Sequence, residues 1–220
     1  MRVVIAGGHG KIALRLERLL VSNGDTAVGI IRKPEQAEKL REIGAEPVVL
    51  DLEQASVDEV ADVLSGADAA VFSAGAGPGS GVARKDTVDR AAAVLFAEAA
   101  ERAGVRRFVQ VSAMGAGDPI DADVEARVGE VFAAYLRAKA AAEEDLRGRD
   151  LDWTILRPGR LTDEPGTGLV RLADDVPRAD VPRDDVAEVL RRLVADTTTY
   201  GRTLELVSGD TPIAEAIERL

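Results

Sequence analysis

No cysteine occurs among the 220 residues, which excludes disulfides, thiolate zinc sites and cysteine nucleophiles together. Histidine is nearly absent as well. His9 stands alone, so a multi-histidine metal site is ruled out and a Ser-His-Asp triad would have to use that residue. Positive charge is scarce: 28 Lys and Arg face 39 Asp and Glu, and the net charge of -11 is spread along the chain. Such a surface repels phosphate-rich polymers and argues against nucleic acid as a partner. Long apolar runs are missing too. Val3–Ala6 is too short for a signal-peptide core, and Ala91–Ala97 stops at Glu98, far short of a membrane span. The expectation is a soluble, cytoplasmic protein, monomer or homodimer, with no membrane partner.

What is present is an alternation of short β-branched runs with helical patterns, the mark of βαβ units and a parallel sheet. Strands are expected near Arg2–Ala6, Thr26–Ile31, Glu46–Leu50, Ala69–Phe72, Arg107–Val111 and Asp152–Leu156, and helices near Lys11–Ser22, Pro34–Ile43, Val57–Leu64, Thr87–Ala103 and Val131–Arg147. Several of these helices run into a glycine suited to a C-terminal cap: Gly24, Gly44, Gly66, Gly104 and Gly148. After Arg157 the proline and glycine content rises, which suggests extended segments and loops before a last helix from Arg183 and a short strand Thr203–Val207. The fold class is therefore α/β, a Rossmann-type doubly wound parallel sheet. Residues 1–220 read as one domain, with 157–220 forming a small elaboration on the substrate side.

The first strand runs straight into Gly7-Gly8-His9-Gly10-Lys11-Ile12-Ala13 and then a helix. A dinucleotide pyrophosphate needs this arrangement: one glycine for the tight turn, a second for close backbone approach, and a small residue for helix–strand packing. Gly7, Gly10 and Ala13 hold those positions, and Gly7, Gly8, His9, Gly10, Lys11 and Ile12 are the expected contacts. The second strand ends in Arg32-Lys33, where NAD-selective folds carry a carboxylate for the ribose hydroxyl; cations there favour NADP(H) over NAD(H). Asp51 and Leu52 follow the third strand within reach of an adenine, although a plain turn explains Asp51 as well. Ser73, Ala74 and Gly75 follow the fourth, small residues that leave room for a cofactor or make a flexible loop.

Ser112 stands at the C-terminal end of the fifth strand, the edge where open α/β sheets bind ligands. Tyr135 and Lys139, four apart, share one helix face. A lysine cation beside a phenol favours the phenolate and lowers its pKa toward a range useful for proton exchange with a carbonyl. The serine hydroxyl would hold the carbonyl oxygen.

These motifs, together with Gly104–Ser112, Leu151–Gly159 and Arg183–Ala187, resemble the short-chain dehydrogenase/reductase superfamily, specifically its atypical, short NAD(P)-binding branch, which is similar to the NmrA-like proteins. The resemblance covers nearly the whole chain. It implies that Ser112 positions a carbonyl, that Tyr135 is the acid/base, that Lys139 binds the nicotinamide ribose and tunes Tyr135, and that the loop at Pro158-Gly159 borders the nicotinamide. Two features depart from it: Ala13 replaces a glycine, and the residues after the last strand leave no large substrate domain for a bulky nucleotide-sugar. The function expected is hydride transfer from NADP(H) to a small carbonyl, quinone or flavin-like acceptor. The alternatives are a non-catalytic NADP(H) sensor, since some members of the branch are thought to read the cofactor pool, and an epimerase that retains its cofactor. Substrate identity is assigned to the loops Met114–Val124 and Leu161–Val181.

Overall fold

Val3, Val4, Ile5 and Ala6 have no exposed surface, as a central parallel strand covered on both faces requires. Val3 and Ile5 point to one layer, where they join Leu16, Leu20 and Leu190; Val4 and Ala6 point to the other, with Val60, Phe72 and Phe96. This period of two divides the molecule into two helical layers around one sheet. The computed structural model describes residues 1–77 and 79–220.

The strands are β1 (Arg2–Ala6), β2 (Thr26–Ile31), β3 (Glu46–Val49), β4 (Ala69–Phe72), β5 (Arg107–Val111), β6 (Asp152–Pro158), β7 (Arg160–Thr162), β8 (Leu169–Ala173), β9 (Asp180–Pro182), β10 (Arg202–Ser208) and β11 (Thr211–Pro212). The main sheet has nine strands in the order β11-β8-β10-β6-β5-β4-β1-β2-β3, and β7 with β9 forms a separate parallel pair. From β3 through β10 every pairing is parallel; β8 turns antiparallel against β10. The order reverses between β1 and β4, which makes the crevice beyond their carboxyl ends the expected ligand position.

The helices are α1 (Lys11–Ser22), α2 (Ala37–Glu42), α3 (Val57–Leu64), α4 (Val82–Arg84), α5 (Ala92–Ala103), α6 (Ala122–Val128), α7 (Glu130–Arg147), α8 (Arg183–Leu193) and α9 (Ile213–Glu218). Leu16 of α1, Leu190 of α8 and Ile213 of α9 cover one face, while Val60 of α3, Phe96 of α5 and Leu146 of α7 cover the other. Among the described residues no helix is long and apolar enough to cross a membrane.

The six expected βαβ strands all form, four with the expected bounds, while β3 ends one residue earlier and β6 two residues later than expected. The helix expected from Thr87 begins instead at Val82, and Lys85–Ala91 is wound as a π-helix. A π-turn adds a residue to the local repeat and commonly marks a functional segment. Part of the loop Met114–Val124 belongs to α6, whose first turn is capped by Asp121 accepting from the Val124 N–H at 2.8 Å. Gly129, at φ +88°, separates α6 from α7. The segment after Arg157 is more ordered than its proline and glycine content suggests, because β8 and β11 pair with each other and β8 with β10. Buried Asp185 of α8 ties that segment down by accepting from the N–H groups of Thr167 at 3.0 Å and Gly168 at 2.8 Å. Gly148 is not a left-handed cap: its φ is -79°, whereas Gly104 has φ +72° as expected.

Candidate active site

At the switch point, Gly7 has φ +81°, and a Cβ there would stand 2.7 Å from the Ala74 Cα. Only glycine fits this conformation and this approach. Gly8 serves a different purpose. Its Cβ would strike the Gly29 Cα at 2.7 Å, so the turn and β2 touch backbone to backbone, a need of Gly29 that sequence reading missed. Gly8 packs there and does not line the cleft. Gly10 caps α1 without a side-chain hydrogen bond, and the first turn of α1 carries no acid. Its N–H groups are therefore available to an anion, and the helix dipole favours one.

Two cavities meet at this turn. One of about 280 Å³ extends toward β2 and β3, the other of about 950 Å³ toward α7, and both are lined by His9, Gly10, Ser73, Ala74 and Gly75. A dinucleotide spans two such spaces with its pyrophosphate between them, so the donor set and the glycine contacts fit that group. Lys11 and Ile12 line the larger space.

Arg32, Asp51 and Leu52 line the smaller cavity with two residues that sequence reading missed, Glu53 and Arg84. The Glu53 carboxylate accepts from Thr87 Oγ1 at 2.6 Å, Arg84 Nη2 at 2.6 Å and Arg32 Nη1 at 3.4 Å. The Thr87 hydrogen bond first, and then the Arg84 guanidinium, hold it below the usual carboxylate range. Lys33 is not brought to the site; it is exposed and lies 3.6 Å from Glu35.

The larger cavity contains Ser112, Tyr135 and Lys139, so the three residues expected to act together share one wall. Lys139 is buried, donates to the Val111 carbonyl at 3.2 Å and lies 3.4 Å from Asp89 Oδ1. Asp89 is buried on the π-helical stretch and accepts from the Ala76 N–H at 3.3 Å. Lys85, one turn earlier, is also buried; its ammonium lies 5.3 Å from the centre of the Tyr135 ring, and that of Lys139 lies 5.8 Å from it. Neither Asp89 nor Lys85 emerged from the sequence, although their i,i+4 spacing on one helical face was a usable signal.

Two expectations are corrected. Lys139 does not lower the Tyr135 pKa: burial, and after it the negative charge of Asp89, hold the phenol above its ordinary value. Burial lowers Lys139 while Asp89 opposes the fall. Nor is the Ser112 proton free for a carbonyl, because Ser112 Oγ donates to Glu143 Oε1 at 2.6 Å. Burial alone would raise Glu143, but hydrogen bonds from Arg157 and Ser112 overcome it and leave the carboxylate below its usual range. Tyr135, Lys139 and Glu143 lie along one stripe of α7, spaced by four, a pattern that could have revealed Glu143. Pro158 closes β6, and its carbonyl accepts from the Met114 N–H at 3.1 Å; its side chain is buried and lines neither cavity.

A doubly wound sheet with a glycine turn and an uncapped helix N-terminus at its switch point defines a dinucleotide-binding protein. The chain belongs to the NAD(P)H-binding family, which residues 7–197 match, within the atypical short-chain dehydrogenase/reductase type. It is 38% identical over 221 residues to a Bacillus subtilis protein called uncharacterized sugar epimerase YhfK, covering all of both chains. Among solved structures, a Bacillus halodurans protein named as an NAD-dependent epimerase/dehydratase superposes with a TM-score of 0.90 at 36% identity over the full length of both. The oxidoreductase ylbE of Lactococcus lactis superposes with a TM-score of 0.87 at 31% identity, covering 100% of this chain and 96% of that one.

Proposed function

We propose that the protein is an NADP(H)-dependent reductase of a small carbonyl, quinone or flavin-like acceptor, with Tyr135 as proton donor. The observation that carries this reading is the Tyr135–Lys139–Asp89 cluster in a cavity continuous with the glycine turn. The N–H groups of His9 and of the first turn of α1, with the Lys11 side chain, would hold the pyrophosphate, Lys139 the nicotinamide ribose, and Arg32 with Arg84 the ribose phosphate that distinguishes NADP. Bound NADPH supplies the hydride.

The residues of the chain then do the rest. A phenol held above its ordinary pKa stays protonated through neutral pH, which suits a donor to a developing alkoxide. Asp89 favours the charged form of Lys139 against the burial that opposes it. Ser112, engaged with Glu143, fixes the end of β5 against α7 and can accept, but not donate, a hydrogen bond in this geometry. Val131 and Phe132 add apolar side chains to the cavity wall.

The names of two relatives favour a second reading, epimerisation through a transient ketone. Net cofactor consumption separates the two. A panel of aldehydes, quinones and flavins is incubated with NADPH, and stoichiometric NADPH loss with reduced product is expected. Interconversion of isomers without net loss would favour epimerisation. No turnover on any acceptor, with tight NADPH binding, would favour a sensor.

A further inference from the structure

We propose that Lys85 anchors a carboxylate of the acceptor, so that the preferred substrates are anionic molecules with an apolar, ring-bearing body. This inference rests on the reductase reading for its cofactor end and adds the chemical class of the substrate. Lys85 keeps 8% of its surface exposed and faces the 950 Å³ cavity. Among the described residues it donates one hydrogen bond, to the Gly77 carbonyl at 3.1 Å. No carboxylate among the described residues pairs with it.

Charge counting around Tyr135 sharpens the point. Lys85 and Lys139 supply two positive charges, and Asp89, at 3.4 Å from Lys139, supplies one negative charge. Glu143 does not balance the remainder, because Arg157 at 2.6 Å and Arg147 at 2.8 Å already claim it. Nor does Asp163, which is held by Lys11 and Arg183. Glu130, exposed at the start of α7, lines the same cavity but does not pair with Lys85, so among the described residues one buried ammonium is left without a counter-ion in a chain whose net charge is -11. Buried charges are normally paired, and an unpaired one facing a cavity is matched by a ligand of opposite sign.

The cavity wall beside Tyr135, where the Phe132 ring lies 5.7 Å from the Tyr135 ring, states the other half of the requirement. Val128, Val131 and Phe132, exposed by 36%, 44% and 45%, line it from α6 and α7. They offer an apolar surface to a ring while Lys85 takes the acid. The lysine also lies against the Tyr135 ring, so an anchored acid holds the carbonyl close to the proton donor.

The test uses 2-, 3- and 4-formylbenzoate and their methyl esters as acceptors for the full chain with NADPH. At least one acid is expected to exceed its ester tenfold or more in kcat/KM. Lys85→Met should remove that preference and Lys85→Arg retain most of it, with NADPH affinity within threefold of the parent in both. Equal use of every acid and its ester by the parent protein would overturn the inference while leaving the reductase reading intact. So would an unchanged acid preference in Lys85→Met, or a loss seen only in NADPH affinity. If none of these aldehydes is reduced, the quinone and flavin acceptors decide the reductase reading, and calorimetric binding of the three acids and esters to the protein saturated with NADP+ decides the matter for Lys85. Tighter binding of an acid, lost in Lys85→Met, supports the anchor; no difference overturns it.

Discussion

Asp89 Oδ1 lies 3.4 Å from the Lys139 ammonium, and the pair joins the π-helical stretch after β4 to the middle of α7 with both side chains buried. The contact links the two segments that line the Tyr135 side of the cavity. It also opposes the effect of burial, which pushes Lys139 toward neutrality.

Asp89→Asn should therefore act on chemistry as well as stability. Breaking a buried pair by removing one partner costs about 3–5 kcal/mol. The variant should melt lower, and its kcat/KM for NADPH-dependent reduction should fall at least tenfold. A pH profile separates this from simple destabilisation: the activity of the variant should decline at a lower pH than the parent, as Lys139 gives up its proton sooner. An unshifted profile would leave Asp89 a purely structural role.

At the other end of the cofactor, Glu53 is gripped by Arg84, Thr87 and Arg32. A ribose phosphate would compete with Glu53 for the same two guanidinium groups. Arg32→Ala and Arg84→Ala should each weaken NADPH binding by about tenfold, the worth of one charge-assisted contact, and change NADH affinity little. Glu53→Gln should tighten NADPH. Fluorescence titration with both cofactors reads all three; equal affinity for NADPH and NADH in the parent protein would contradict the NADP assignment.

A third expectation concerns stability. Glu17 of α1 is wholly buried, and neither carboxylate oxygen has a hydrogen-bond partner in the structure. Its Oε1 sits where a Cβ on Gly8 or Gly29 would fall, and burial pushes its pKa from 4.5 up to about 8. Below the unfolded value both states hold the proton. Between the two values the unfolded chain has released it and the folded chain has not, so stability falls as pH rises from about 4.5 to about 8. At about 1.4 kcal/mol per pH unit, the loss by neutral pH is on the order of 3 kcal/mol. Glu17→Gln should abolish this slope and raise Tm near pH 8 by on the order of 10 °C relative to the parent, as calorimetry across pH would show. Parallel curves for the two proteins would refute it.

Much of this was legible in the chain itself. The β-branched runs placed β1, β2 and β4 to β6, because buried parallel strands are continuous in hydrophobicity, and the glycine turn named its own position. Tyr135 and Lys139 could be read because helical spacing puts them on one face. The edge pairings of β8 and β11 could not, since they depend on contacts distant in sequence between segments rich in glycine and proline. Lys85, Asp89 and Glu143 were missed for a different reason: their spacing by four was a signal, but charged residues are expected to face solvent, and tertiary packing is what buries these three. Glu17 illustrates the same point, since it occupies the buried face of α1 next to Ala13, Leu16 and Leu20.

Tyr135 carries the central claim, and single-turnover oxidation of bound NADPH on mixing with an acceptor measures its part directly. Tyr135→Phe should bind NADPH as the parent does and lose about 10²- to 10⁴-fold in rate with a carbonyl acceptor, the usual worth of a positioned general acid. The parent rate should stay level through neutral pH, because the phenol remains protonated there. A Tyr135→Phe protein that reduces the same carbonyl at the parent rate would contradict the account.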